Sequence, residues 1–108
     1  MSIEDKDKID AISIRKSDGK VILSISDHLD WKDEHFHLVT LQEKLNAYIQ
    51  FIEGGQIFEE YPKSIGKKLV IEIVSQENFV SIGLEFLEKA RPVVQSIGAE
   101  LTQRTLIP

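Results

Sequence analysis

The chain has 108 residues, 42% hydrophobic and 29% charged, a balance that excludes a disordered chain and predicts a single domain spanning residues 1–108. The net charge of −5 argues against binding to nucleic acid, which needs clustered Lys and Arg. Because the chain has no Cys, disulfides, thiolate catalysis and Cys-based metal sites are excluded, and a reducing compartment is favoured.

Residues 1–8 are mostly charged and predict a flexible leader. They lack the apolar segment that a secretory signal peptide contains. No apolar run approaches the roughly 20 residues that cross a bilayer. We therefore expect a cytoplasmic protein that does not bind membranes.

Residues 9–28 predict a β-hairpin around Asp18-Gly19, because this pair lies between two alternating apolar runs and favours a two-residue type I′ turn. Such a turn sets a register in which Ile14 lies opposite Leu23. One face of the hairpin is then apolar and is expected to face the core: Ile12, Ile14, Val21, Leu23 and Ile25. The other face is small and polar, and is either solvated or used as an interface: Ala11, Ser13, Arg15, Ile22, Ser24 and Ser26.

Residues 31–52 predict the longest helix, on which the strands are expected to pack. Apolar residues recur in it at three- and four-residue spacing: Trp31, Leu38, Leu41, Leu45, Tyr48, Ile49 and Ile52. Asp30 is the predicted N-cap, while Asp33 and Glu34 complement the helix dipole in the first turn. Gly54-Gly55 predicts the end of this helix.

The second half of the chain predicts a connection, a strand and a further helix. The connection at 56–66 is unusually apolar for a loop. Residues 67–75 predict a central strand, because both of its faces are largely apolar. A helix is expected from about residue 79 or 81 to 97, where Pro92 predicts either a kink or an early end.

Residues 99–107 predict a last, weaker strand, so the expected element order is β-β-α-β-α-β. The simplest architecture is an α+β two-layer sandwich, with a four-stranded sheet and two helices on one face. If the last two strands are parallel, their connection is expected to be right-handed. The order of the strands in the sheet is left open.

His and carboxylate residues cluster around the start of the predicted long helix. A divalent-cation site is one interpretation, with Asp10, Asp27, Asp33 and His37 as candidate ligands. Asp33 and His37 are four residues apart and share a helix face. Asp10 and Asp27 lie opposite each other in the predicted hairpin register. The alternative is that the carboxylates cap the helix, and no HExxH-like spacing favours the metal.

No motif in the sequence predicts catalysis or a cofactor. The serines lack the GxSxG context of a nucleophile elbow. The glycines match neither GxGxxG nor the phosphate-binding GxxxxGK[ST] pattern. We therefore expect no catalytic residue and no cofactor.

Large apolar residues away from the main helix stripe predict an interaction surface, since such groups often anchor interfaces. The candidates are Phe36, Phe51, Phe58, Tyr61, Ile22, Val70 and Val74. The first two lie on the long helix, the next two in the connection, and the last three on the outer face of the sheet. The alternative is a helix buried over a wide arc, with the loop aromatics closing the edge of the core.

Four stretches of the chain resemble a family of small bacterial domains of unknown function. They are ISDHLDW at 25–31, HLVTLQEKLNAYIQFIEGGQIFEEYP at 37–62, GKKLVIEIV at 66–74 and GLEFLEKA at 83–90. The resemblance covers about residues 5–98 and implies a small stand-alone bacterial protein. It implies no activity and supplies no functional residues.

Together, the acidic charge, the aromatic connection and the lack of a catalytic motif favour a non-enzymatic protein-binding module. Its partner is either a second copy of the chain or another protein, for example a basic protein that it inhibits as an immunity protein does. The alternative function is binding of a small ligand or divalent metal, with or without enzymatic activity, at the start of the long helix.

Overall fold

The computed structural model describes residues 3–5 and 8–106, which form a four-stranded sheet and three α-helices in an α+β fold. The strands are β1 (Ala11–Ile14), β2 (Val21–Asp27), β3 (Leu69–Ser75) and β4 (Ala99–Thr105). The helices are α1 (Glu34–Glu53), α2 (Gln56–Glu60) and α3 (Ser81–Ser96), and a 3-10 helix covers Pro62–Ser64. The predicted β-β-α-β-α-β order is confirmed, with α2 and the 3-10 helix inside the predicted connection.

The strands lie in the sheet in the order β1-β2-β3-β4. β1 is antiparallel to β2, whereas β2, β3 and β4 are parallel. α1 therefore connects β2 to its neighbour β3, and α3 connects β3 to its neighbour β4. β3 has a strand on each side, which confirms the central position that its two apolar faces predicted.

One face of the sheet carries the core. Its strand residues are Val21, Leu23, Ile25, Leu69, Ile71, Ile73, Ala99 and Leu101, and its helix residues are Leu41, Leu45, Tyr48, Phe51, Ile52, Ile57, Leu87 and Val94. Because α1 and α3 both contribute, the two long helices pack on the same face, as predicted. Full burial of one large apolar side chain contributes about 1.5–3 kcal/mol, so this layer is the main source of stability.

The register of the β1–β2 hairpin differs from the prediction by two residues. Ile14 pairs with Val21, and Ile12 pairs with Leu23. Side chains alternate between the faces of a strand, so a shift by an even number of residues leaves each side chain on its predicted face. The prediction of the core face was therefore right although the pairing was wrong.

The hairpin loop, residues 15–20, is longer than a two-residue type I′ turn. That turn needs positive φ at both central residues, but Gly19 has a φ of 74° and no described residue other than glycine has a positive φ. The Gly19 N–H instead donates to the Arg15 carbonyl. The Asp18 carboxylate accepts from the Arg15 guanidinium at 2.7 Å and from the Lys20 N–H at 3.1 Å. The hydrogen bond from Arg15 lowers the pKa of Asp18 to about 2.

We expect an NMR titration of the Asp18 carboxyl group to have its midpoint near pH 2, and Arg15→Ala to raise it toward the ordinary value of about 4. Since the pKa is lower in the folded protein than in the unfolded chain, this contact stabilises the fold above about pH 4 and stops doing so as the pH falls toward 2. Lys16→Ala removes a neighbouring positive charge and should leave the midpoint unchanged. A wild-type midpoint near 4 would contradict the Arg15 contact.

Within the charged segment 1–8, for which a flexible leader was predicted, the described residues contact the rest of the fold. The Ile3 side chain is fully buried in the core, and its N–H donates to the Ser26 carbonyl at 2.9 Å. Lys44 Nζ on α1 donates to the carbonyls of Asp5 and Lys8, both at 2.6 Å. A single apolar residue in a charged run has no periodicity, so composition does not predict this contact. Residues 1, 2, 6 and 7 lie outside the described part.

α1 begins three residues later than predicted, because its N-cap is Asp33 and not Asp30. The Asp33 carboxylate accepts from the Phe36 N–H at 3.0 Å. The Asp30 carboxylate accepts from the Lys32 N–H in the preceding turn, so Trp31 precedes the helix.

Pro92 lies inside α3, which continues from Ser81 to Ser96. Of the two predicted effects of Pro92, a kink or an early end, the early end is therefore excluded. Proline removes one helical hydrogen bond, and burial of Leu87 and Val94 on either side holds the helix against the sheet. β4 then occupies most of the predicted last strand, whose residue 107 lies outside the described residues.

Candidate functional site

The four candidate metal ligands lie at three separate places. Asp10 pairs with Lys44, Asp27 pairs with His37, and Asp33 caps α1. The predicted proximity of Asp10 and Asp27 depended on a hairpin register that the structure does not have. Within residues 3–5 and 8–106, no three His or carboxylate side chains converge in a way that could hold a metal ion.

Lys44 is a fully buried lysine on the core side of α1, and sequence reasoning missed it. Its Nζ lies 2.8 Å from Asp10 Oδ1, and its other two hydrogen bonds are those to the N-terminal carbonyls. Asp10 Oδ2 accepts from the Ser26 N–H at 2.9 Å. All three ammonium donors and both carboxylate oxygens are therefore satisfied, the condition under which a protein tolerates a buried ion pair.

Tyr48 extends this network by one turn of α1. Its hydroxyl donates to the Ser24 carbonyl and accepts from the Asp10 N–H at 2.8 Å. Burial raises the pKa of Tyr48 well above its ordinary value, so the hydroxyl stays protonated and remains a donor. The network thereby connects α1, β2 and the segment that leads into β1. Its polar atoms are used within the fold, and we interpret it as structural.

His37 and Asp27 form a second buried pair at the carboxyl end of β2, which is an ion pair when the proton between them lies on the imidazole. His37 Nε2 lies 2.6 Å from Asp27 Oδ2, and His37 Nδ1 lies 2.9 Å from the Asp30 carbonyl oxygen. The two side chains are 1% and 0% exposed. Because both ring nitrogens face acceptor atoms, Nδ1 carries a proton and a further proton lies between Nε2 and the carboxylate. The ring therefore has no lone pair available for a metal ion.

Trp31 covers this pair. Its ring stacks on the His37 imidazole at a centroid distance of 3.7 Å, and the Phe79 ring packs edge-on at 5.0 Å. Gly83 of α3 lies against the same indole, where a Cβ atom would be 2.7 Å from Trp31 Cη2. Only glycine fits this close approach. The aromatic rings thus seal the pair at one end of the core, and we interpret it as structural too.

The seven predicted interaction residues differ in exposure. Ile22, Phe51 and Val70 are buried, Tyr61 and Val74 are half-buried, and Phe36 and Phe58 are exposed. Phe51 is 7% exposed and belongs to the core, as the alternative of a helix buried over a wide arc implies. α1 is buried over a wider arc than its apolar stripe indicated.

The outer face of the sheet is covered by its own charged side chains. Lys20, which precedes β2, pairs with Glu100 on β4 at 3.1 Å, so its aliphatic stem crosses β3. Arg104 pairs with Glu72 at 3.1 Å on the same face. Val70 between these pairs is 1% exposed, and the apolar centre predicted as an interface is therefore already covered.

A groove with a volume of about 630 Å³ opens between β1, α1 and α2. Its apolar lining is Ile9, Ile12, Ala47, Phe51 and Tyr61, and its polar lining is Lys8, Gln50, Gln56 and Glu60. β1 is an edge strand, so the backbone groups on its outer side have no strand partner among the described residues. Sequence reasoning identified two of the lining residues, Phe51 and Tyr61, but not the concavity. The groove is formed by three separate elements, which no local pattern brings together.

These features define a small α+β protein with two structural ion pairs in its core and a groove beside an edge strand. The chain belongs to DUF6572, a family of unknown function whose match covers residues 1–106. This confirms the resemblance to a family of unknown function. Comparison with curated proteins and with solved structures found no match. None of the helices in the described residues is long and apolar enough to cross a membrane.

Proposed function

We propose that the protein is a binding module that receives an extended segment of a partner protein in the groove beside β1. The observation that carries this proposal is an open concavity of about 630 Å³ next to a strand edge. An extended segment that adds to a sheet edge gains main-chain hydrogen bonds, while adjacent pockets receive alternate side chains. The edge of β1 offers the main-chain groups, and the adjoining groove offers the side-chain pockets.

The chemistry of the groove supports a peptide rather than a purely apolar ligand. Ile12 and Tyr61 are half-buried and offer apolar contacts, whereas Lys8 and Glu60 are exposed and polar. Interfaces commonly have such an apolar centre and polar rim, with Tyr among the enriched residues. The net charge of −5 favours a basic partner.

One wall of the groove is held in place by the buried Lys44 network. Lys44 binds the Lys8 carbonyl and the Asp10 carboxylate, and Ile9 lies between them in the chain. The Asp10 N–H is bound by Tyr48. A wall ordered before binding lowers the entropy cost of association, which supports recognition by this surface.

Selection of displayed peptides against the wild-type protein, followed by calorimetry and NMR, tests the proposal. Ala47→Arg places a long charged side chain in the groove and should weaken the selected peptides by about tenfold or more. Asn46→Arg, which adds the same positive charge at the preceding, exposed position of α1, is the matched control and should not affect affinity. Equal binding to Ala47→Arg, or chemical-shift changes away from β1, α1 and α2, would contradict the proposal.

A further inference from the structure

We infer that the chain forms a symmetric homodimer in which β4 pairs antiparallel with β4 of a second copy. This goes beyond the proposed function, because it uses the opposite edge of the sheet and a different partner. The inference rests on the backbone of β4, on the charges along it and on one unpaired hydroxyl. It is independent of the groove.

β4 is a long and regular edge strand. Its seven residues pair with β3 on one side only, among the described residues. An open edge of this length is a template for another strand, and proteins usually shorten, bulge or cover such edges. The Arg91 guanidinium reaches the outer Leu101 carbonyl, but at 3.4 Å the contact is weak and leaves that carbonyl available.

The backbone groups of β4 alternate between the two sides of the strand. The N–H of Leu106 donates inward to the Ser75 carbonyl, whereas the Leu101 carbonyl faces outward toward Arg91. By the same alternation, the residues whose backbone N–H and C=O groups point away from β3 are Ala99, Leu101, Gln103 and Thr105. A second strand must therefore place its own outward-facing residues opposite these four.

A two-fold axis through Thr102 meets that requirement. It places Leu101 opposite Gln103 of the second copy, and Ala99 opposite Thr105 of the second copy. Each of the four resulting pairs exchanges two N–H···O bonds, about eight in total. Thr102 and its symmetry mate then form a pair without backbone hydrogen bonds, where side chains approach most closely.

The same register places opposite charges across the axis. Glu100 lies opposite Arg104 of the second copy, and Arg104 lies opposite Glu100 of the second copy. Within one copy Glu100 pairs with Lys20 and Arg104 pairs with Glu72, but both side chains stay exposed, 49% for Glu100 and 56% for Arg104, so each can also contact the second copy. Directly opposite residues have Cβ atoms about 4.5–5.5 Å apart, and opposite charges at that distance stabilise the pair.

Alternative registers match the backbone but not the charges. An axis through Leu101 places Glu100 opposite Thr102, and an axis through Gln103 places Glu100 opposite Leu106. Only the axis through Thr102 pairs each glutamate with an arginine. The charge pattern of β4 is therefore self-complementary in one register, as an interface between identical copies requires.

Thr102 supplies a third observation. Its hydroxyl oxygen is buried and has no hydrogen-bond partner in the described part of the chain. Buried hydroxyls normally have a partner. A Thr–Thr pair across a two-fold axis is among the favourable cross-strand pairs, and rotation of Thr102 about χ1 toward the second copy would give its hydroxyl a partner.

A charge-complementation experiment tests the dimer. Glu100→Arg places Arg opposite Arg at both sites of its own dimer, and Arg104→Glu places Glu opposite Glu. Each variant alone should self-associate about tenfold or more weakly than the wild type in sedimentation velocity. Mixed in equal amounts they should form a heterodimer, visible by native mass spectrometry, because Arg then faces Glu at both sites.

Two charge-reversal variants away from β4 serve as controls. Glu85→Arg and Lys16→Glu make equal charge changes at exposed positions away from β4 and should dimerise like the wild type. Thermal melting checks that each variant is folded. A monomeric wild type at millimolar concentration would overturn the inference, and so would folded variants that dimerise alone as well as they do when mixed. Neither result bears on peptide binding in the groove.

Discussion

Replacing Lys44 by methionine is expected to lower the free energy of unfolding by about 3–5 kcal/mol. Methionine fits the space but leaves the Asp10 carboxylate buried without its counter-ion. It also removes the donor shared by the carbonyls of Asp5 and Lys8. Since small proteins have a total stability of about 5–15 kcal/mol, this one change removes a large fraction of it.

Urea denaturation followed by circular dichroism measures this effect. Lys89→Met, on the exposed side of α3, is the matched control and should change stability by no more than about 0.5 kcal/mol. The double variant Asp10→Asn/Lys44→Met should recover part of the loss, because no unpaired charge stays buried. A loss below about 1 kcal/mol for Lys44→Met would show that water reaches Asp10.

The two partners of the second ion pair are expected to respond unequally to substitution. His37→Leu should cost about 3–5 kcal/mol, because it leaves the Asp27 carboxylate buried and unpaired. Asp27→Asn should cost only about 1 kcal/mol, because a neutral amide pairs with a neutral imidazole. The asparagine oxygen still accepts from the Leu29 N–H, and its NH₂ group donates to His37 Nε2.

The same denaturation experiment at neutral pH compares these variants. His35→Leu, on the exposed surface of α1, is the control and should be close to wild type. Trp31 fluorescence gives a local signal, since its indole stacks on the His37 ring in the wild type. Equal losses for His37→Leu and Asp27→Asn would contradict the proton arrangement inferred from the two ring contacts.

Apolar periodicity was sufficient to predict the strands, the long helices and the face on which they pack. The β1–β2 hairpin shows the limit of this method. The alternation of Ile12, Ile14 and Leu23 determines which side chains face the core, but a shift of two residues preserves that alternation. The register instead depends on the loop, where the Arg15–Asp18 contact competes with a tight Asp-Gly turn.

The buried ion pairs were harder to predict because each depends on contacts between distant parts of the chain. Lys44 lies three residues after Leu41 and four before Tyr48, so its position on the core stripe was visible in the sequence. Its partner Asp10 is 34 residues away, which no local pattern indicates. The choice of Asp33 over Asp30 as N-cap has a similar origin, since the Asp30 carbonyl is bound by His37.

The exposure of the residues predicted to form an interaction surface depends on what covers each of them. Phe36 and Phe58 are exposed, as expected for residues outside the core. Val70 is 1% exposed, and the Lys20–Glu100 pair spans β3 on the same face, where the apolar stem of a lysine can cover apolar residues although a polarity scale counts lysine as polar throughout. Apolar residues that share a predicted outer face therefore do not always form an exposed apolar patch.

The strands lie in the sheet in the same order as in the chain, and this order affects how the chain folds. Each strand after the first adds to the free edge left by the strand before it, and none is inserted between two strands that have already paired. During synthesis, each of β2, β3 and β4 therefore leaves the ribosome after the strand to whose edge it adds. Assembly can proceed by stepwise growth from the β1–β2 hairpin, with β3 joined through α1, α2 and the 3-10 helix, and β4 joined through α3.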